Sequence, residues 1–317
     1  MESLFFKLGT SPVIDNLDKY YNFGLIPLEP RKFADEEFFV RIPTNVRNKN
    51  CYLIVDITPN NIFEVLITID TFKKASAAKV ALVAPYLPYS RQDRRTDTRT
   101  PMSAKVLASM LETAGVDHVI TMDVHALQIE CFYDVPFDNL QGSTLLIENI
   151  LKENPDITKE NTIMVAPDAG AAKRTRFLAD KFKFPVAIID KKRISDTEVK
   201  SYLVGDVKGK NCLMLDDIIS SGGTIITGGS VLKEHGANKV FAGCVHILAG
   251  EYALRKLHDS SIDGVYALNT RSTAGTIYLA ELPKNSKKIN IFDASSIFAD
   301  AIERDSQGIS VSSMFNQ

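Results

Sequence analysis

The sequence lacks the features that mark membrane proteins and nucleic-acid-binding proteins. No stretch of its 317 residues approaches the ~20 consecutive apolar residues of a membrane-spanning helix. Its 37 Lys and Arg residues are offset by 39 Asp and Glu residues, for a formal net charge of -2. Because there is no excess of positive charge to attract phosphate backbones, we expect neither a membrane nor a nucleic acid as the main partner.

Cysteine is scarce, and paired cysteine motifs are missing. The four cysteines are far apart in the sequence and form no CxxC pair. Three of them lie in or next to apolar runs, which is typical of buried reduced thiols. The short apolar run near the N-terminus lies between Glu2 and Lys7 and does not match a secretory signal. These features predict a cytoplasmic location. The four cysteines are Cys51, Cys131, Cys212 and Cys244.

No low-complexity segment and no repeat of solenoid period interrupts the chain. Hydrophobic residues make up 45% of it and charged residues 24%, which is ordinary for a globular protein, and the length suggests two domains. Strand-like apolar runs alternate with helical patterns, which predicts an α/β fold with mainly parallel sheets flanked by helices. We predict two successive domains, residues 1–143 and 144–317. The predicted strands are 52–55, 80–84, 119–122, 162–166, 186–189, 212–215 and 240–245.

The stretch from residue 212 to residue 224 has the order strand, acidic pair, small-residue loop, helix. In an open α/β sheet, ligands bind outside the carboxyl ends of strands. Glycines and the N–H groups of a helix start suit a phosphate, whereas the carboxylates of Asp216 and Asp217 suit sugar hydroxyls. One interpretation is therefore a sugar-phosphate site, and the other is a tight turn with capping residues. The loop residues are Ser220, Ser221, Gly222, Gly223 and Thr224.

Several other polar segments follow predicted strands or lie among aromatic residues. Residues 85–101 contain four arginines, and guanidinium groups match phosphate oxygens in a bidentate manner, although a solvated charged loop is the alternative. Residues 33–41 place three acids between aromatics. His125 and Asp168 each follow a strand, and a lone histidine such as His125 also fits a purely structural position. Residues 190–199 are polar and fit either a mobile flap or a surface hairpin.

These segments resemble, in chain order, the motifs of the ribose-phosphate pyrophosphokinases, also called phosphoribosyl-pyrophosphate (PRPP) synthetases. Residues 212–224 are similar to the ribose-5-phosphate loop of PRPP-binding proteins. Residues 85–101 look like the family segment Pro-Tyr-x-x-Tyr-x-Arg-Gln-Asp-Arg/Lys, and 123–138 resemble Asp-Leu-His-x-x-Gln-Ile-Gln-Gly-Phe-Phe-x-x-Pro-x-Asp. The chain ends in a sequence similar to Gly-Glu-Ser-Val-Ser-Ser-Leu-Phe. The resemblance runs essentially from end to end and implies two tandem phosphoribosyltransferase-type (type I) domains.

The resemblance implies an enzyme that transfers the β,γ-diphosphoryl group of ATP to O1 of ribose 5-phosphate, giving AMP and PRPP for nucleotide biosynthesis. Mg²⁺ is the implied cofactor, and the implied assembly is a homo-oligomer, commonly a hexamer built from dimers, with ATP near a subunit interface. The implied ATP-binding residues are Phe33, Asp35, Glu36, Glu37, Arg91 and Gln92. The implied metal ligands are His125 and Asp168. The implied catalytic residues are Lys191 and Arg193, and Asp216, Asp217 and Ser220 to Thr224 would bind ribose 5-phosphate.

The sequence departs from the family patterns at a few positions. Ser220 stands where the ribose-5-phosphate loop has an acid, and Glu36, Cys131 and Ala171 each replace a glycine. Ser220 supports a second hypothesis, a non-catalytic regulatory homologue, which the retained motif residues oppose. A third hypothesis is a phosphoribosyltransferase, which would share the 212–224 loop without needing the Arg91–Gln92 and His125 segments.

Overall fold

The computed structural model describes residues 2–193, 199–272 and 288–315, except for the side chains of residues 191–193, 199 and 200. The chain divides into two compact units. The first unit combines Met1–Gln141 with Asp293–Gln317, and the second is Gly142–Phe292. None of the described helices has the length and apolar character needed to cross a membrane.

The strands and helices alternate through most of the chain. In chain order the strands are β1 (Ser3–Leu8), β2 (Ile26–Leu28), β3 (Arg31–Lys32), β4 (Phe38–Phe39), β5 (Asn50–Val55), β6 (Lys79–Val83), β7 (His118–Met122), β8 (Phe137–Leu140), β9 (Thr162–Ala166), β10 (Val186–Arg193), β11 (Val199–Val204), β12 (Asn211–Ile219), β13 (Val240–Ile247), β14 (Gly264–Leu268) and β15 (Ile289–Phe292). The α-helices are α1 (Pro12–Asn16), α2 (Ile62–Lys74), α3 (Ser103–Ala114), α4 (Gly142–Glu153), α5 (Ala172–Phe182), α6 (Gly223–Glu234), α7 (Glu251–Asp259) and α8 (Ser295–Ser306).

The first unit is built on a parallel sheet in the order β2-β1-β5-β6-β7-β8. Its central strands are continuous apolar runs because helices cover both faces of such a sheet. Helix α2 buries Val65, Ile69 and Phe72, which recur at helical spacing and so face the sheet together. Helix α3 ends at Gly115, whose φ of 105° closes the helix in a left-handed conformation that favours glycine.

The second unit is built on a sheet in the order β11-β10-β9-β12-β13-β14-β15, in which only the β10–β11 pair is antiparallel among the described strands. Val165, Met214 and Ala242 come from neighbouring strands and lie in one buried cluster. Burying such aliphatic side chains contributes about 1.5–3 kcal/mol each, so the apolar runs that predicted these strands also hold the sheet together.

The predicted α/β fold is confirmed, and two details differ from the sequence prediction. Strand β12 continues through Asp216 and Asp217 to Ile219, whereas the apolar run predicted that it ends at residue 215. The assignment of all of residues 144–317 to the second domain is wrong for Asp293–Gln317, which belongs to the first unit. Helix α8 buries an apolar face there and contacts α1, a long-range contact that no local pattern predicts.

Candidate active site

The strand order of the second unit reverses between β9 and β12. From β9 the chain passes through α5 to β10 on one side, and it then returns through β11 to β12 on the other side of β9. In open α/β sheets, ligands bind at such a switch point, outside the carboxyl ends of the strands. The Asp168 loop follows β9 and the loop of Ser220 to Thr224 follows β12, so the fold brings two predicted site segments to this edge.

The loop after β9 is shaped by Asp168, which is half-buried. Its Oδ1 accepts a hydrogen bond from the backbone N–H of Ala171 at 2.9 Å. A Cβ atom at Gly170 would lie only 3.2 Å from the same oxygen, so the loop keeps a glycine where space is tight. Ala171, which replaces a family glycine, has a φ of -78°. This position therefore needs no left-handed conformation, and the substitution is compatible with the loop.

The loop after β12 presents hydroxyl groups at the start of helix α6. Gly222 has a φ of 74°, and a Cβ atom there would lie 3.0 Å from Cγ of Leu257, so glycine is required by both backbone and space. Ser221 and Gly223 are exposed, and Ser220 and Thr224 are half-exposed. The first N–H groups of a helix have no carbonyl partner within it, so this helix start offers hydrogen-bond donors to an anion.

The acidic pair beside this loop is buried to unequal degrees. The Asp217 side chain is 4% exposed and its carboxylate lies 2.9 Å from Nη1 of Arg174. The Asp216 side chain is 22% exposed and lies 3.9 Å from the same nitrogen. The backbone N–H of Asp217 also donates to Oδ1 of Asp216 at 2.9 Å. Burial, followed by the side-chain hydrogen bond with Asp217 and then the charge of Asp217, raises the pKa of Asp216 to about 7, while Arg174 opposes the rise.

Lys191 and Arg193 lie on β10, beyond the part of the strand that pairs with β9. The last paired residues are Ile188 and Ala166, after which β10 continues past the carboxyl end of β9. The backbone positions of Lys191 and Arg193 pair with β11 in an antiparallel register. This segment is therefore one strand of a hairpin rather than a loop. The side chains of both residues, and residues 194–198, lie outside what the structure describes.

In the first unit, the predicted ATP-binding residues Phe33 to Glu37 form the turn between β3 and β4. The N–H of Phe33 donates to the carbonyl of Glu37 at 2.9 Å, and the N–H of Glu36 donates to the carbonyl of Phe33 at 3.0 Å. Glu36 has a φ of 68°, so the turn keeps the left-handed conformation for which the family uses glycine. The Arg31 guanidinium lies 4.5 Å from the ring centroid of Phe39.

Arg91 and Gln92 are exposed near the start of helix α3. Oε1 of Gln92 accepts a hydrogen bond from the Ser103 hydroxyl at 2.6 Å, and the Gln92 carbonyl accepts from the N–H of Ala104 at 3.2 Å. The buried carboxylate of Asp93 accepts a hydrogen bond from the side chain of Gln128. Because β6 and β7 are neighbours, this contact joins the arginine-rich loop after β6 to the His125 segment after β7.

The two predicted metal ligands belong to different units, His125 to the first and Asp168 to the second. No group of three or more His, Cys, Asp or Glu side chains gathers to hold a metal ion in the part of the chain that the structure describes. Mg²⁺ usually keeps several water ligands and binds one or two carboxylates together with substrate phosphates. The half-buried Asp168 carboxylate therefore fits an ion that substrate phosphates hold, and not an all-protein cage.

The sequence patterns gave Arg174 no function, and its contact with the acidic pair appears only in the structure. The available signal was its spacing: it comes six residues after Asp168, in the first turn of a helix beside a strand that bears two acids. The contact of Arg31 with Phe39 likewise appears only in the structure.

Two models of protein families match successive parts of the chain. Residues 4–115 match the model of the N-terminal domain of ribose phosphate pyrophosphokinase, and residues 193–316 match the phosphoribosyl synthetase-associated domain. A ribose-phosphate pyrophosphokinase of Hyphomonas neptunium is 38% identical, with 96% of this chain and 97% of the relative covered. One of Thermotoga maritima is 37% identical, with 96% of this chain and 95% of the relative covered.

A solved structure also matches the chain over nearly its whole length. It is the phosphoribosylpyrophosphate synthetase from Mycobacterium smegmatis, with a TM-score of 0.85, 28% identity, and coverage of 97% of this chain and 100% of that one. Sequence identity above 30% over almost the entire length and a shared fold agree with each other. The chain therefore belongs to the ribose-phosphate pyrophosphokinase family.

Proposed function

We propose that the protein is a ribose-phosphate diphosphokinase that transfers the β,γ-diphosphoryl group of ATP to O1 of ribose 5-phosphate, giving PRPP and AMP. The observation that carries this proposal is the carboxyl edge of β9 and β12. Three features lie at this switch point of one sheet: the start of helix α6, whose N–H groups suit a phosphate, the acidic pair, and the Asp168 loop. Family membership supplies the reaction type, and this edge supplies a site for a sugar phosphate.

Ribose 5-phosphate binds with its phosphate in the loop of Ser220 to Thr224 and its ring hydroxyls on the acidic pair. The free N–H groups at the start of α6 and the loop hydroxyls donate to the phosphate oxygens. The hydroxyl of Ser220 donates to these oxygens as well. Asp216, the more exposed of the two acids, accepts hydrogen bonds from the sugar hydroxyls.

ATP binds through the hairpin residues Phe33, Asp35, Glu36 and Glu37 and through Arg91 and Gln92. The Arg91 guanidinium is exposed and suits phosphate oxygens. The proposed assembly is a hexamer built from dimers, in which the hairpin of one protomer completes the ATP site of a neighbour. We place the enzyme in the cytoplasm, in keeping with the four free cysteines.

The proposed reaction needs positioning and charge neutralisation more than covalent chemistry. Attack by O1 on the β-phosphorus breaks the bond to the oxygen that bridges the α- and β-phosphorus atoms, and AMP leaves. Asp168 and His125 are each proposed as ligands of Mg²⁺, which would neutralise phosphate charge when bound. Asp216 orients the ribose, and the cations of Lys191 and Arg193 stabilise the charge that develops on the transferring group.

The deciding experiment uses ATP with radioactive phosphorus at the β position and measures which product carries the label. With Mg²⁺ and ribose 5-phosphate, the proposed enzyme moves the label into PRPP and forms unlabelled AMP. Formation of ADP instead would indicate simple phosphoryl transfer and contradict the proposal. A phosphoribosyltransferase would form no PRPP from these substrates but would consume added PRPP in the presence of a nucleobase.

A regulatory homologue is the second candidate, and Ser220 is the observation that favours it. Such a protein would bind ligands at the β9 and β12 edge without forming AMP or PRPP. A mixing experiment tests this candidate: an inactive chain that changes the activity of an active family member would support it.

A further inference from the structure

Arg174 is a half-buried arginine whose guanidinium contacts the acidic pair, and the proposed reaction gives it no function. It lies in the first turn of α5, and its side chain is 28% exposed. Its Nη1 lies 2.9 Å from Oδ1 of Asp217 and 3.9 Å from Oδ1 of Asp216. The Arg174 side chain therefore reaches across from helix α5 to the acidic pair on β12.

The acidic pair requires a cation for a physical reason. Asp217 is almost fully buried, and removing a carboxylate from water is costly unless an opposite charge or hydrogen bonds compensate. Two adjacent carboxylates also repel each other. The short contact with Arg174 offsets both costs for Asp217, whereas Asp216 keeps the greater exposure and the longer distance to the guanidinium.

We infer that Arg174 is the positioning residue of the ribose site: it neutralises and fixes Asp217, and it thereby leaves Asp216 as the carboxylate that accepts hydrogen bonds from the sugar hydroxyls. The two acids thus have different functions, one as the anchor of the arginine and one as the ligand of the sugar. This inference rests on the proposed function, because it takes ribose 5-phosphate as the ligand of this edge.

The inference can be tested through the pKa of Asp216, which depends on the charges around it. Within the part of the chain that the structure describes, the titratable and charged groups that face Asp216 are Asp217 on the same strand, Arg174 on α5 and the thiol of Cys244 on β13. Burial raises the pKa of the Cys244 thiol well above its ordinary value, so the thiol stays neutral. Arg174 is thus the cation that holds down the pKa of Asp216, and its loss favours the protonated acid. A protonated carboxyl loses acceptor capacity for the sugar hydroxyls.

The test compares Arg174→Met, which keeps an apolar stem without charge, with Arg176→Met, which removes an exposed arginine from the same helix. The measurement is the Kd of ribose 5-phosphate by calorimetry, from about pH 6 to about pH 9, a range that spans the titration. Near neutral pH we expect Arg174→Met to weaken binding by about tenfold to a hundredfold, the usual effect of losing a charged hydrogen bond. The loss should shrink as the pH rises, and Arg176→Met should bind like the wild type.

Two further variants distinguish a local effect from a loss of folding: Arg174→Lys, and Arg174→Met combined with Asp217→Asn. Lysine restores the charge without the planar fork, so it should recover part of the affinity. The double variant tests whether Arg174 acts through Asp217. If it does, replacing Arg174 by Met should weaken ribose 5-phosphate binding much less in an Asp217→Asn background than in the wild type. Two results would overturn the inference: an equal loss of ribose 5-phosphate affinity in both backgrounds, or a loss of affinity in Arg174→Met that is the same at every pH.

Failure of the inference can be told apart from failure of the proposed function. A wild-type protein that neither binds ribose 5-phosphate nor forms PRPP contradicts the proposed function. The carboxyl titration of Asp216, followed by NMR with carbon-13-labelled aspartate and assigned with Asp216→Asn, needs no ligand. An upward shift of its midpoint in Arg174→Met but not in Arg176→Met supports the inference, and an unchanged midpoint overturns it.

Discussion

Oδ1 of Asp305 on helix α8 lies 3.4 Å from Nδ1 of His118 on strand β7, so an ion pair joins the C-terminal helix to the sheet of the first unit. The other carboxylate oxygen of Asp305 accepts hydrogen bonds from the Tyr52 hydroxyl at 2.5 Å and from Nζ of Lys79 at 2.7 Å. Nε2 of His118 in turn lies 2.8 Å from Oδ2 of Asp138. One carboxylate therefore links α8 to three neighbouring strands.

This cluster predicts that the stability of the first unit depends on pH. Burial alone would raise the pKa of Asp305, but hydrogen bonds from His118, Lys79 and Tyr52 lower it well below its usual range. Burial alone would lower the pKa of His118, but hydrogen bonds to Asp138 and Asp305 raise it. The Asp305 contribution is therefore lost as the pH falls through its lowered pKa, and the His118 contribution is lost as the pH rises through its raised pKa.

Asp305→Asn should lower the free energy of unfolding by about 3 kcal/mol, the usual cost of breaking a buried pair. The difference from the wild type should be largest between about pH 4 and pH 6.5, the ordinary pKa values of the two groups, and should decline at higher pH. Urea unfolding at several pH values measures it. Asp300→Asn is the matched control on the same helix, because its pair with Arg304 is more exposed and should contribute under about 1 kcal/mol. An equal loss in both variants would contradict the prediction.

Lys191→Ala should lower turnover by about 10²–10³-fold, the typical cost of losing one preorganised charge donor, while the KM values for both substrates change little. The reason is that charge on the bridging oxygen grows as its bond breaks, so a cation there gains most in the transition state. Lys192→Ala is the control. Lys192 is the one cation of the run 191–193 to which the family resemblance gives no function, so its loss should be nearly silent. A Lys191→Ala enzyme with normal turnover and weaker ATP binding would remove this residue from catalysis.

The serine at position 220 should impair neither folding nor phosphate binding, because its hydroxyl can donate to a phosphate. We expect the wild type to bind ribose 5-phosphate, and Ser220→Asp to bind it no more tightly, since the serine hydroxyl already donates to the phosphate and a second negative charge adds no attraction. Calorimetry on both proteins measures the two Kd values. Binding by the aspartate variant alone would mark a defective native site and favour the regulatory homologue.

ATP affinity should depend on self-association, because the proposed nucleotide site combines the Phe33 to Glu37 hairpin of one protomer with Arg91 and Gln92 of another. Dilution to a concentration at which light scattering shows a monomer should weaken nucleotide binding by at least about tenfold, because the neighbouring protomer's residues are then missing from the site. Fluorescence titration with a labelled ATP analogue measures this at each concentration. An affinity in the proven monomer equal to that of the oligomer would contradict the interface site.

Local patterns in the sequence predicted most of the sheet and the family, but not how particular side chains pair. The run at residues 162–166 predicted β9 because a strand buried on both faces must be apolar throughout. Asp216 and Asp217 were placed after their strand because charged residues break an apolar run, yet the strand ladder continues through them to Ile219. The polar segment at residues 190–199 fitted either a mobile flap or a surface hairpin, and the pairing of β10 with β11 appears only in the structure.

The sequence by itself determined the α/β fold, the family and the motif residues at the strand ends, because these depend on apolar periodicity and on residue order within short segments. Only the tertiary structure showed that Arg174 contacts Asp217 and that helix α8 belongs to the first unit. Tyr52 and Asp305 are 253 positions apart in the chain, and nothing in either local segment indicates the other. Burial creates such pairs, since a charge removed from water requires a partner wherever the folded chain brings one.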